Sequence, residues 1–538
     1  MNHHEDNFAY KHLPHPSLQA TCTTGHADFE FPEHLNCVEH LLDRHITEGN
    51  GNKIAIRTFD CCWTFNTLYE KANQIANVLI YDLNLVSGNR VMIRSANNPM
   101  YVASWFGILK AGGIAVATMP LLREKELNIM VECAEISHVL CDQDLEAEIK
   151  AVKSPFLKHV ISFEGTGKPG SELANLMETK PTTFSNYQTK ADSIAIIGFT
   201  SGTTGRPKMT AHYHKDILLI CEAFPKHALQ PTPDDIFIGS PPLGFTFGLG
   251  GLVLFPFYFG ASTFLIEKPS PDMLLEAISE QGVTICFTAP TAWRILTEKV
   301  KNHDISSLRK CVSAGETLPL KVWEDWYDAT GIKIINGIGS TEILHIFIAS
   351  NEEYMRPGAT GVPVRGYEAK IIDQKGNEIT DGSEGRLAVR GITGCKYLNS
   401  SERQKEYVQR GWNITGDIFR KDKDGYFWFV ARNDDMIISS GYNIAAIEVE
   451  NVLLDHEDIV ECAVVGLPDE NRGMLVCAYI VLKEPEKASD ELSKAIQDWF
   501  KNVAAPYKYP REIKYVDALP KTETGKIQRF KLKTIVKT

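Results

Sequence analysis

Between residues 193 and 335, short β-branched runs alternate with helical patterns, and this alternation constrains the fold more than any other feature. Residues 193–199 (SIAIIGF) read as a buried strand and 214–224 as a helix. Strand-like 263–266, 283–287, 310–313 and 332–335 then interleave with helical 272–281, 291–300 and 320–329. Strands and helices spaced in this way predict a parallel sheet covered by helices, because each parallel neighbour is reached through a crossover. Between 361 and 429 the pattern changes to short strands punctuated by Lys375–Gly376, Asp381–Gly382 and Asp424–Gly425, which predicts a small antiparallel β unit. Beyond Asp434 come a strand (436–438), an amphipathic helix (446–454), two strands (460–466 and 476–482) and a helix (491–502). That remainder is long enough to form an α+β domain of its own. The expected fold class is therefore α/β. A body over residues 1–433 carries parallel sheets and the β unit, and a C-terminal domain covers residues 434–538. Single cores stop growing near roughly 250–300 residues, so a chain of 538 calls for at least two packed units on length alone.

One stretch competes with this reading. Residues 236–266 run 31 positions without a charge, long enough to span a bilayer. They also hold six glycines and three prolines, with Pro256 at the apolar centre and no flanking Lys/Arg cluster. Buried strand and helix pieces of the α/β core, without membrane insertion, are the expectation. The net charge of 56 − 68 = −12 argues against a nucleic-acid partner. The polar N-terminal segment shows no apolar secretory h-region, and the twelve cysteines include no CxxC, so a cytoplasmic location with reduced thiols is expected. His3–His4 read as a solvated tail. The last 38 residues run against the overall charge, with ten Lys/Arg and three Asp/Glu, a local +7. A solvated tail and a phosphate-facing surface both fit that composition.

The densest chemical signal is Thr200-Ser201-Gly202-Thr203-Thr204-Gly205-Arg206-Pro207-Lys208, placed between a buried strand and a helical segment. Glycines let backbone N–H groups approach phosphate oxygens, the hydroxyls add donors, and Lys208 adds a charge. It is not a Walker A loop, since GxxxxGK[ST] is absent.

This run resembles the phosphate-binding loop of the adenylate-forming superfamily: acyl- and aryl-CoA ligases, peptide-synthetase adenylation domains and firefly luciferase. Four further segments follow in the family's order. Gly337-Ile338-Gly339-Ser340-Thr341-Glu342 resembles its Gly-x-x-Thr-Glu loop, with Asn336 where a Tyr is usual. Thr415-Gly416-Asp417, Arg432-Asn433-Asp434-Asp435 and Lys521-Thr522-Glu523-Thr524-Gly525-Lys526 resemble its later motifs. The resemblance implies ATP, Mg²⁺ and CoA as cofactor and co-substrates, and a mobile C-terminal domain that turns about Asp434.

It also implies roles. Lys526, Glu342 and Thr341 would be catalytic, with Glu342 on the metal, a hard cation suited to carboxylate and phosphate oxygen. Nucleotide contacts would fall to Thr200, Ser201, Gly202, Thr203, Thr204, Gly205, Lys208, Gly315, Glu316, Asn336, Gly337, Thr341, Asp417 and Arg432. Ser440, Gly441 and Tyr442 would approach CoA. Plainer readings stand beside these: a surface linker at 200–208, an Asx turn at Asp417, a surface charge at Arg432 and ordinary turn chemistry at 439–443.

The acid follows from finer texture. In the uncharged window, residues 240–250 occupy the place of the family's pocket-lining aromatic motif, with Phe245 where many members have His or an aromatic; Phe247 and Phe255 read as core. Rings and glycines suit a flat substrate. Leu35-Asn36-Cys37, Leu41-Leu42-Asp43-Arg44-His45, Ala211-His212-Tyr213-His214-Lys215-Asp216 and residues 339–347 resemble benzoate-type CoA ligases, among them 2-aminobenzoate (anthranilate) ligases. Phe245, Gly339 and His345 are the acid-pocket candidates, although His345 also reads as a satisfied core histidine. The expected partners are an aromatic carboxylic acid, ATP and CoA, and a homodimer is one assembly compatible with the sequence.

Overall fold

The computed structural model describes residues 5–22, 30–200, 207–432, 435–439, 442–469, 473–504, 508–521 and 527–534. Two sheets build the body. The six-stranded sheet runs in the order His159–Phe163, His138–Asp142, Arg90–Arg94, Ile114–Ala117, Ile194–Thr200, Lys208–Tyr213. Its first five strands are parallel and only the last is antiparallel. The second sheet has nine strands, and at its centre Lys310–Ser313, Ile285–Thr288, Ile236–Gly239 and Ser262–Phe264 lie parallel. Strand Ile334–Gly339 joins parallel to Lys310–Ser313 and then pairs antiparallel with Ile346–Ala349.

Helix Pro99–Lys110 is buried along its whole length, so its sequence (PMYVASWFGILK) shows no polar stripe. Asn98 caps it through a side-chain bond to the Tyr101 amide, and Pro99 fits the first turn, where no amide hydrogen is needed. It packs on helix Phe65–Tyr81, whose buried face carries Leu68, Ala72, Ile75 and Leu79.

The alternation between 193 and 335 corresponds to real elements, with helix His214–Phe224 and strand Lys310–Ser313 starting and ending where the sequence places them. One placement differs. Residues 200–208 do not lead straight into a helix, because strand Lys208–Tyr213 returns antiparallel along Ile194–Thr200 before the helix begins at His214. Met209 and Ala211 enter the core, and the far side of this strand is covered by residues 396–398, whose backbone pairs with Met209 and Ala211. A long-range partner therefore stabilises a strand that local periodicity does not reveal.

The uncharged window divides into strand Ile236–Gly239, a helix over 246–258 and strand Ser262–Phe264. The helix widens into π-type turns over Gly250–Leu254, and Pro256 sits at the start of its closing turn. Among the described residues no helix is long and apolar enough to cross a membrane. All twelve cysteines are free.

The β unit is antiparallel, with Tyr367–Ile372, Gly385–Gly391, Trp412–Lys421 and Phe427–Arg432 side by side. The C-terminal module has a sheet of its own, centred on the hairpin Ile459–Asp469 and Gly473–Leu482. Ile437, Val449, Leu453, Val464, Val476 and Phe500 form its separate core. It touches the body where the Arg294 guanidinium donates to the Val460 carbonyl.

Candidate active site

In an open parallel sheet, loops gather at the carboxyl ends of the strands. Several of the described candidate residues lie there. Thr200 ends one strand, Gly315 and Glu316 follow Lys310–Ser313, and Asn336–Gly339 end the next. The two sheets meet there so closely that a methyl group on Gly244 would lie 2.6 Å from the Thr118 carbonyl oxygen.

At the centre is the turn Ser340–Leu344. The Ser340 hydroxyl accepts from the Ile343 amide at 3.2 Å and caps the turn. Leu344 takes φ +78°, a region that a branched side chain enters at a cost, so the turn is held by its surroundings. Four side chains do the holding. His212 Nε2 donates to the Thr341 carbonyl at 2.7 Å, and the Thr393 hydroxyl donates to the Ile343 carbonyl at 2.6 Å. The Tyr397 hydroxyl donates to Glu342 Oε1 at 2.6 Å, and the Thr200 hydroxyl reaches the same oxygen at 3.4 Å. Gly198 leaves room for the turn, since a methyl there would lie 2.7 Å from Thr341 Cγ2.

Burial sets the charge states. Desolvation, with the Lys396 ammonium adding to it, pulls His212 down to about 4, so it is neutral near pH 7. Desolvation and the Glu342 carboxylate push the Tyr397 phenol far above its ordinary value, so it stays a donor. Lys396 is itself buried against Asp216 at 2.9 Å and stacks over the Tyr213 ring. Among the described residues no three His, Cys, Asp or Glu side chains cluster as a metal cage. Glu342 is a single carboxylate whose Oε2 receives no hydrogen bond from the described residues. Such an arrangement fits Mg²⁺, which takes one or two carboxylates and completes its shell with phosphate and water.

His345 lies just past the turn and is buried among rings, 4.6 Å from Phe255 and 5.9 Å from both Phe224 and Phe247. Among the described residues neither imidazole nitrogen makes a hydrogen bond of good geometry, although the Phe247 backbone is near enough to act on the ring. Desolvation pulls His345 down to about 3 and outweighs the opposing pull of the Phe247 backbone, so the ring is neutral. Gly250 makes the space, because a methyl there would fall 2.3 Å from His345 Cδ2. Gly339 is equally constrained, its absent methyl 2.7 Å from the His345 carbonyl carbon. Phe245 stands apart as the residue before the 246–258 helix, half-buried. Phe255 is the core residue the sequence suggests, but Phe247 is only partly buried and shares the His345 ring cluster.

Asp417 and Arg432 face each other across neighbouring strands and form an ion pair at 3.0 Å. Asn336 is held at its amide by the Ser350 hydroxyl at 2.8 Å, and Gly337 packs on Ile346. Gly315 takes φ +89° and leaves the loop open. Lys208 stacks over the Tyr397 ring at 5.2 Å and donates to its hydroxyl at 3.4 Å. Glu316 lies within electrostatic range of Arg529, which follows the lysine-rich segment and is clamped by both Glu450 oxygens at 2.8 Å. Ser201, Gly202, Thr203, Thr204, Gly205, Asp434, Ser440, Gly441 and Lys526 fall outside the described residues, as does the Tyr442 side chain. Tyr397, Thr393 and His212 were not legible as contributors to the turn. His212 stands within the 211–216 segment, but each contact to the turn spans 50 or more residues of chain.

The AMP-binding enzyme family matches residues 43–396, and the AMP-binding enzyme C-terminal domain matches residues 448–526. The chain belongs to the AMP-binding enzyme family. It is an AMP-forming acid–thiol ligase, in line with its named relatives. The benzoate–CoA ligase of Thauera aromatica is 33% identical over 515 residues, covering 94% of this chain and 97% of that protein. The mitochondrial acyl-coenzyme A synthetase ACSM3 of Homo sapiens is 32% identical, covering 93% and 90%. A crystal structure of the anthranilate CoA ligase AuaEII with anthranoyl-AMP superposes with a TM-score of 0.89 at 35% identity, covering 95% of this chain and 99% of the other.

Proposed function

We propose that the protein is an ATP-dependent aryl-CoA ligase for a benzoate-type acid, with 2-aminobenzoate the favoured substrate. The observation that carries this reading is the neutral His345, which makes no well-formed side-chain hydrogen bond among the described residues and sits in a phenylalanine box just after the Glu342 turn. A flat ring can stack in such a box, and an ortho amine or hydroxyl offers the imidazole a well-formed hydrogen bond. The similarity to benzoate and anthranilate ligases supports the same acid class.

In the first half-reaction an acid oxygen attacks the ATP α-phosphorus and pyrophosphate leaves, giving aryl-AMP. In the second, the CoA sulfur attacks the acyl carbon and AMP leaves. Glu342, with Thr200 beside it, would hold Mg²⁺, which neutralises phosphate charge when bound. Lys526 offsets the repulsion between the acid and the triphosphate, and Asp417 accepts from the ribose hydroxyls. Thr341 and the 200–208 loop bind the phosphates, and Gly315, Glu316, Asn336 and Gly337 line the nucleotide. Asp434 is the hinge between a body over 1–433 and a domain over 434–538, and Ser440, Gly441 and Tyr442 line the CoA path. The protein works in the cytoplasm, where ATP and CoA are available.

The likeness to acyl-coenzyme A synthetases favours a second reading, a ligase for a non-aromatic acid. Acid-dependent pyrophosphate release across benzoate, aminobenzoates, hydroxybenzoates and fatty acids separates the two. A preference for fatty acids would overturn the aromatic assignment, and transfer to a carrier protein in place of CoA would overturn the acceptor.

A further inference from the structure

The Glu342 carboxylate is gripped from an unexpected direction. Tyr397 belongs to the β unit, 55 residues downstream, and is 1% exposed. Its backbone is locked on both sides. The Tyr397 amide donates to Gln404 Oε1 at 2.8 Å, and the next amide, that of Leu398, donates to the Met209 carbonyl at 2.9 Å. The ring stacks edge-on with Tyr407 at 5.6 Å and carries the Lys208 ammonium over its face. A phenol fixed in this way has one direction for its hydrogen, toward Glu342 Oε1. That bond occupies Oε1 and leaves Oε2 with no hydrogen bond from the described residues. The strand bearing Lys208 leaves the phosphate loop at that same point, so one phenol ties together the loop's exit, the β unit and the carboxylate.

The geometry points to Tyr397 as a positioning residue that orients Glu342 for Mg²⁺·ATP, with Lys208 coupling that orientation to the phosphate loop. The inference rests on the reading of Glu342 as the metal carboxylate. A hydrogen bond to a charged group, lost without replacement, changes an equilibrium by about tenfold or more.

The test uses the full-length enzyme with Tyr397→Phe, which keeps the ring, and Glu342→Gln in parallel. ATP affinity is measured by calorimetry with and without Mg²⁺, and pyrophosphate release is titrated with Mg²⁺. Thioester formation from presynthesised aryl-AMP and CoA needs no metal carboxylate and also reports the fold. For Tyr397→Phe, the half-saturating Mg²⁺ is expected to rise about tenfold. The gain in ATP affinity on adding Mg²⁺ should shrink by the same factor, while thioester formation stays within about twofold of the parent. Unchanged Mg²⁺ dependence in Tyr397→Phe together with its loss in Glu342→Gln would overturn the role of Tyr397 alone. Unchanged dependence in both would overturn the metal reading of Glu342. An equal fall of both half-reactions in Tyr397→Phe would assign the residue a structural role instead.

Discussion

Replacing Gly250 with alanine places the strongest demand on the proposed pocket. The added methyl would sit 2.3 Å from His345 Cδ2 and 2.5 Å from Nε2, whereas ordinary carbon contacts begin near 3.5 Å. About 1 Å of displacement is needed. The Phe255, Phe224 and Phe247 rings within 4.6–5.9 Å of His345 restrict that movement, and Phe255 itself would lie 3.3 Å from the new methyl. The backbone of Gly250 belongs to the widened turn of the 246–258 helix, so part of the strain falls there. Overpacking of this kind costs roughly 1–3 kcal/mol. If the cost falls on the acid-bound state, kcat/KM for the preferred aryl acid drops by about 5- to 150-fold, since 1.36 kcal/mol is tenfold. The KM for ATP should hold, because the nearest atoms the added methyl would meet belong to His345 and Phe255 and not to Thr341, Glu342 or Tyr397. Steady-state pyrophosphate release over the acid panel, with thermal unfolding alongside, reads both effects. Activity within twofold of the parent toward every acid would refute the argument that Gly250 exists to admit His345.

Further outcomes concern stability and the C-terminal domain. Asp216→Asn leaves the Lys396 ammonium buried beside a neutral partner and should destabilise the protein by roughly 3–5 kcal/mol in urea unfolding; a loss under about 1 kcal/mol would show that the pair is not a strong contributor. His212 and His345 are held down to about 4 and about 3, whereas an unfolded histidine titrates near 6.5. The unfolded chain therefore takes up protons first, and stability is full above about pH 7 and lost as pH falls from 6.5 toward 4, by up to about 1.4 kcal/mol per pH unit per histidine. His212→Gln, which keeps a donor to the Thr341 carbonyl, should flatten that dependence, and an unchanged slope of unfolding free energy against pH would contradict the assignment. Lys526→Ala should lose most adenylation yet still convert presynthesised aryl-AMP to thioester; equal loss of both steps would remove Lys526 from its proposed place. Glu450→Gln, which loosens the two-point clamp on Arg529 just beyond that lysine, should slow adenylation more than thioester formation when the two are timed separately.

How much of this could be read from residues alone depends on whether the determinants are local. Helix His214–Phe224 shows in the sequence because its capping and apolar spacing are local. Strand Lys208–Tyr213 does not, because four of its residues in a row are buried without alternation, and its edge away from Ile194–Thr200 is covered by residues 396–398, nearly two hundred positions on. The pocket follows the same rule. Phe245 draws attention by its position in a motif, but ring packing in three dimensions places Phe247 and Phe255 around His345.

By itself the sequence determined the α/β class, which periodicity encodes, and, through its resemblance to a known family, the order of the motifs. It also located the uncharged window, whose lack of charge reflects burial of both its strands and the helix between them. Only the tertiary structure decided which groups meet. Tyr397 reaches Glu342, Arg432 pairs with Asp417, and Gly250 opens the space His345 fills. These contacts depend on strand register and crossovers that bring distant segments within 3 Å, and no local pattern of residues carries that information.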